Sequence, residues 1–156
     1  TEWLGGVDDY PYGISFRLTG GEGKRGLYGF GISANGAYIV LEWPNDLVAV
    51  TLIGWTGSSV INKEGKNTLR VVTSGSLFEF YINGVMVNSI TDDTLTEGRI
   101  SLYVGNIQEV AFDNLVVKII ETNEQPLLKP LSQNRSGTMT TSFPAISGNL
   151  APFIGL

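Results

Sequence analysis

Between Asn67 and Gly84 the chain changes character at every second residue. Leu69, Val71, Phe78, Phe80 and Ile82 are apolar, Arg70, Glu79 and Tyr81 are polar or amphipathic, and Ser74-Gly75-Ser76 separates the two runs. A period of two belongs to a β-strand with one buried face, whereas a helix repeats every 3.6 residues. Comparable runs occur at Tyr12–Leu18, Leu27–Ser33, Ala37–Trp43, Leu47–Trp55, Val85–Ile90, Arg99–Gly105 and Gln108–Ile120, and no long stretch has helical spacing. About eight or nine short strands with turn signals every 8–12 residues predict an antiparallel β-sandwich. Ala34-Asn35-Gly36 predicts a hairpin turn of type I′, and Asn83-Gly84 turns the chain again into Val85. Ile14, Phe16 and Leu18 are expected on one face of their strand. In Ala37–Trp43, Ile39, Leu41 and Trp43 are assigned to one face and Tyr38, Val40 and Glu42 to the other. Phe16, Leu41, Val71, Phe80 and Leu102 are expected to fill the interior.

Composition narrows the class. The 156 residues are 42% hydrophobic and 16% charged, with 20 glycines, which describes a globular chain rich in tight turns. A net charge of −5 opposes nucleic-acid binding, which needs cations to displace phosphate counterions, and opposes docking on an anionic membrane. No apolar run is long enough to span a membrane as a helix, and Thr-Glu-Trp at the start is not a signal peptide. If the protein is exported, a leader has already been removed. The absence of cysteine and histidine excludes disulfides, thiol nucleophiles, Ser-His-Asp hydrolysis and His-ligated metals. After Glu121 the pattern fades. Residues 122–156 hold four of the six prolines, and predict an extended arm or linker in which Thr138–Phe143 could add as a strand.

The segments YGISFR, LYGFGISANGAYIVLEW, NTLRVVTSGSLFEFYINGVMV, ITDDTLTEGRISLYVG and EVAFDNLVV follow one another from Trp3 to Lys118. In that order they resemble concanavalin A-like lectin/glucanase (laminin-G-like) jelly-roll domains, nearest to bacterial modules related to the 3-keto-disaccharide hydrolase family. The resemblance implies an all-β jelly-roll sandwich over residues 1–121, exported or displayed at the cell surface. It also implies that "YING" is a hairpin between two strands and that "TDDTLTEG" is a crossover in which Asp92, Asp93 and Gly98 supply turn chemistry. Such domains begin with one or two strands before the piece matching WLGGVDDYPYGISFR. An N-terminal strand is therefore expected to be missing here, leaving an edge that the arm of this chain or of a neighbouring copy would fill.

Three chemistries are open to these residues. Retaining glucanases of this fold carry Glu-x-Asp-x-Glu on a strand, and no such triplet occurs here; Glu42 and Glu79 are the pair that could share a cleft. The sequence therefore leans away from an enzyme and needs no cofactor. Calcium, which relatives of the fold bind, would draw on Asp8, Asp9, Asp92, Asp93, Asp113 and Asn114. Carbohydrate recognition stacks sugar rings on exposed aromatics and orients hydroxyls with a few polar groups. Tyr38, Arg70, Glu79, Tyr81 and Tyr103 are expected on strand faces away from the core, with Trp43 and Trp55 at strand ends. The sequence reading is thus a non-catalytic extracellular binding or adhesion module for a carbohydrate or cell-surface glycan, with no nucleic-acid partner and no membrane span. The second reading is a structural subunit whose arm donates a strand to the next copy, and the third is a glycoside-processing enzyme.

Overall fold

The computed structural model describes residues 1–20, 26–45 and 48–119. By its contacts the chain divides after Val117. Most of the Gly-rich connection after Leu18, the start of the expected strand at Leu47, its counterpart end at Ile120, and the whole arm 122–156 with Thr138–Phe143 lie outside the described residues.

Among the described residues there are ten strands and no helix: β1 (Glu2–Gly6), β2 (Tyr12–Thr19), β3 (Gly26–Ile32), β4 (Ala37–Trp43), β5 (Val50–Gly57), β6 (Leu69–Ser74), β7 (Leu77–Ile82), β8 (Val85–Thr91), β9 (Arg99–Val104) and β10 (Gln108–Ala111). All paired strands are antiparallel. They form a five-stranded sheet β5-β4-β3-β2-β9, a three-stranded sheet β6-β7-β8 and a two-stranded ladder β1-β10. β1 is absent from the sequence expectation because Glu-Trp-Leu-Gly-Gly has no alternation to read.

The two larger sheets contribute to one aromatic core. Tyr28, Phe30 and Ile32 of β3 and Phe78, Phe80 and Ile82 of β7 are fully buried. Phe80 lies 5.0 Å from Phe30, and Phe78 lies 4.9 Å from Tyr28 and 5.3 Å from Phe16 by ring centroids. Such aromatic pairs add about 0.5–1.5 kcal/mol each beyond the burial of their area.

β4 presents the opposite face from the one assigned by sequence. Its register places Val40 beside Phe30 and Tyr38 beside Ile32, so Tyr38, Val40 and Glu42 enter the core, and Ile39, Leu41 and Trp43 lie on the other face of the sheet, where Ile39 is still buried. Of the five expected interior residues, Phe16 and Phe80 are buried and Val71 packs against the core. Leu41 is on the outer face, and Leu102 is 38% exposed.

The hairpin turns also differ from each other. Asn83 and Gly84 both have positive φ, the two-residue arrangement that suits the twist of β7 and β8. At Ser33–Ala37 only Gly36 has positive φ (95°), and the Gly36 amide donates to Ser33 O at 3.0 Å while Ser33 N donates to Ala37 O at 2.9 Å. That is a three-residue loop with a bulge at glycine, not the type I′ turn expected.

Asn67, at the entry to β6, is a buried polar hub. Its side-chain amide donates to Asn62 O at 2.7 Å and Gly65 O at 3.2 Å, and its oxygen accepts from Asn62 N at 2.8 Å and Asn83 Nδ2 at 2.9 Å. Asn83 in turn donates to Val60 O and accepts from Thr68 N. Two loops are thereby tied to the head of the three-stranded sheet.

Candidate functional site

The outer face of the five-stranded sheet is floored by glycine. Gly13, Gly29 and Gly31 occupy the positions that pair, across the ladder, with Gly31, Ser15 and Ile39. Glycine in the middle of a strand weakens it and marks a close approach to the backbone. Here the approach is aromatic. Tyr103 of β9 pairs with Gly13 of β2, yet its hydroxyl stands over Gly31 of β3, where a Cβ would overlap it. To reach β3 the ring must lie across the sheet over β2. Trp43 arrives from the other side: a Cβ on Gly29 would lie 3.1 Å from the indole edge of Trp43 and 3.5 Å from the Tyr103 hydroxyl. Both rings therefore converge on Gly29, where a Cβ would press on the Trp43 indole, while at Gly31 it would overlap the Tyr103 hydroxyl outright.

The Tyr103 hydroxyl is buried without a hydrogen-bond partner, and burial pushes its pKa above the ordinary phenol value. What Tyr103 offers to a ligand is its ring rather than its hydroxyl. Trp55 is 47% exposed on β5. The Tyr38↔Thr56 pairing puts Thr56 on the core face, so Trp55 falls on the outer face beside Ile39. Trp43, Trp55 and Tyr103 thus share one surface.

Arg70, Glu79 and Tyr81 are elsewhere, on the outer face of the three-stranded sheet. Arg70 pairs with Tyr81 across β6 and β7, and its guanidinium lies 3.7 Å from the centre of the Tyr81 ring. The Tyr81 hydroxyl donates to Glu79 at 3.0 Å, and this bond raises the phenol's pKa. The cluster is self-satisfied. Tyr38 belongs to neither surface: it is 4% exposed, packs against Phe30 at 6.4 Å, and donates to Val87 O at 3.1 Å. The seven aromatic and polar residues singled out by sequence therefore divide among two outer faces and the core, and no single ligand touches them all.

A second polar region sits where the segment Asp92–Gly98 crosses the end of the core. Tyr28 donates its hydroxyl to Asp92, the same hydroxyl oxygen accepts from Leu95 N at 3.1 Å, and Thr94 N donates to Asp92 at 2.9 Å. Burial, with the Asp92 bond next, pushes the Tyr28 pKa up to about 12. Arg17, in the left-handed region at φ 52°, stacks on Phe78 at 4.5 Å and donates to Leu95 O at 2.6 Å and to Gly75 O. Its shallow cleft, about 310 Å³, is lined by Arg17, Gly75, Ser76, Asp93 and Thr96. Glu42, 5% exposed, leaves one carboxylate oxygen without a partner; burial raises its pKa, Thr94 lowers it, and Asp92 adds a smaller upward push. Glu42 and Glu79 share no cleft, since one is buried between the sheets and the other lies on an outer face. Among the described residues no three acidic side chains converge as a metal site, and no helix is long and apolar enough to cross a membrane.

No protein-family model matches the chain, and no curated protein or solved structure is similar to it.

Proposed function

We propose that this chain is a non-catalytic carbohydrate-binding module of the extracellular surface, built as a concanavalin A-like jelly-roll sandwich. The observation that carries the reading is the glycine floor: side chains are missing at Gly13, Gly29 and Gly31, where Tyr103 and Trp43 lie down against the sheet, and the exposed indole of Trp55 belongs to the same face two strands from Tyr103's hydroxyl. Rings held in this way have little freedom left to lose on binding, and an aromatic face is what the apolar face of a pyranose packs against. Among the described residues this face carries no carboxylate pair for acid–base work, which supports binding over hydrolysis. Arg70, Glu79 and Tyr81, first grouped with the aromatics, belong to the other side of the domain and are assigned no contact with the sugar.

A glycan array followed by calorimetry tests this. Trp43→Ala and Trp55→Ala are each expected to weaken the best glycan at least tenfold, about 1.4 kcal/mol, while Tyr81→Ala leaves affinity unchanged. Absence of any glycan ligand, or loss of binding in Tyr81→Ala alone, overturns the proposal.

A further inference from the structure

Asn-Gly occurs twice in this chain, at Asn35-Gly36 and Asn83-Gly84, and each pair turns a hairpin with its asparagine exposed. The dipeptide carries a reaction of its own. The glycine amide nitrogen can close a ring onto the asparagine Cγ, and with no Cβ on glycine nothing hinders the approach. What the fold does to each pair decides whether that reaction runs.

Asn83 is held. Its side-chain nitrogen donates to Val60 O at 2.7 Å and to Asn67 Oδ1 at 2.9 Å, and its oxygen accepts from Thr68 N at 2.8 Å. Exchange of that nitrogen for oxygen would set a carboxylate against two acceptors, one of them in the buried hub.

Asn35 is not held in this way. Among the described residues its Nδ2 makes no hydrogen bond to the protein, and its Oδ1 accepts from Ser33 Oγ at 2.7 Å. A donor on that oxygen leaves Cγ more open to attack and stabilises the oxyanion that attack creates. The attacking atom, Gly36 N, is tied to Ser33 O at 3.0 Å, so loosening of the loop's closing bond frees it. The Lys63 side chain lies across Gly36, where a Cβ would stand 3.2 Å from its ammonium nitrogen. A cation there favours loss of the amide proton and then neutralises the carboxylate that forms.

We propose that Asn35 is a site of spontaneous deamidation, selected over Asn83 by the fold and promoted by Lys63. Hydroxide takes the Gly36 amide proton, and Gly36 N bonds to Cγ of Asn35. The Cγ–Nδ2 bond then breaks, and ammonia leaves with a proton from water. Water opens the resulting succinimide at either carbonyl, leaving an aspartyl or an isoaspartyl residue at position 35. Either product adds a negative charge beside Lys63. The isoaspartyl form also inserts a methylene into the loop that sets the register of β3 on β4. None of this depends on sugar binding.

Purified protein held at mildly alkaline pH and physiological temperature for several weeks provides the test. The tryptic peptides Gly26–Lys63 and Val71–Arg99 carry the two sites, and tandem mass spectrometry locates the amide-to-acid mass gain in each. In the folded chain Asn83 is expected to react roughly tenfold or more slowly than Asn35, because its side chain must first leave three hydrogen bonds. In urea the two pairs should react at similar rates. Lys63→Gln is expected to slow the Asn35 step a few-fold in the folded chain. Three results overturn the proposal: Asn83 reacting as fast as Asn35 in the folded chain, an intact Asn35 when both sites react in urea, or the same bias towards Asn35 in urea, which would assign it to sequence rather than fold. A rate unchanged by Lys63→Gln overturns the role given to the cation.

Discussion

β3 and β9 are strands of the same sheet, both alternating, both adjacent to β2, and their fates differ. Every inward side chain of β3 is fully buried, whereas inward Leu102 of β9 is 38% exposed. The difference does not arise within the strands. It comes from what lies across the core: β7 covers β3 with Phe78 and Phe80, whereas the inward side chains Ile100, Leu102 and Val104 of β9 remain 42%, 38% and 41% exposed. Periodicity thus decides which side chains share a face, and the width of the opposing sheet decides whether that face is dry.

The largest effect is expected where the cover is complete. Phe80→Ala removes a ring packed against Phe16 and Phe30 and should cost about 3–5 kcal/mol in urea unfolding; a cost below about 1 kcal/mol would mean the two sheets are not held by these rings. Next is Asn67→Ala, which strips four hydrogen bonds from buried loop groups. About 2–3 kcal/mol is expected, and a loss as small as that of an ordinary surface substitution would break the claim that this hub organises the head of β6.

Glu42 sharpens the comparison from inside the covered region. Its folded pKa lies above the ordinary 4.5, so its contribution is intact below that value and is lost as the pH rises through the folded pKa. Asp92 runs the other way: burial pushes it up, but hydrogen bonds from Tyr28 and Thr94 outweigh that and hold it below 3.8, so its contribution is lost as the pH falls. Glu42→Gln should therefore be more stable than wild type at pH 7 in urea unfolding, with the gap closing towards pH 4. A gap that widens in acid would reverse the assignment. The smallest effect is expected in the open region, where Leu102→Ala should cost about 1 kcal/mol or less because its side chain is already partly wet.

Much of this was readable in the sequence, and the failures have definite causes. The alternation of Leu69–Ser74 and Leu77–Ile82 placed both inward sets correctly, because their outward partners Arg70, Glu79 and Tyr81 are polar. β4 was inverted because both of its faces are apolar. Only the pairing Phe30↔Val40, set by the glycine bulge at Gly36, separates them. Tyr38 went with that inversion, from expected ligand contact to core. The glycines of β3 carried an available signal: a strand reading Leu-Tyr-Gly-Phe-Gly-Ile has one face of bulk and one of hydrogen, and the bare face is where Trp43 and Tyr103 came to rest. What could not be read is that Tyr103 crosses a whole strand to do so, since that depends on which strands are neighbours. Asn67 was hidden for a similar reason, as its partners at Asn62 and Asn83 are brought together only by the folded loops.

Amide hydrogen exchange resolved by residue tests the contrast between β3 and β9 most directly. The β3 amides at Tyr28, Phe30 and Ile32 should exchange only through global unfolding, while those of β9 should open through a local route at least tenfold faster. Equal protection of the two strands would mean that β9 is covered as fully as β3, against the exposure of Ile100, Leu102 and Val104.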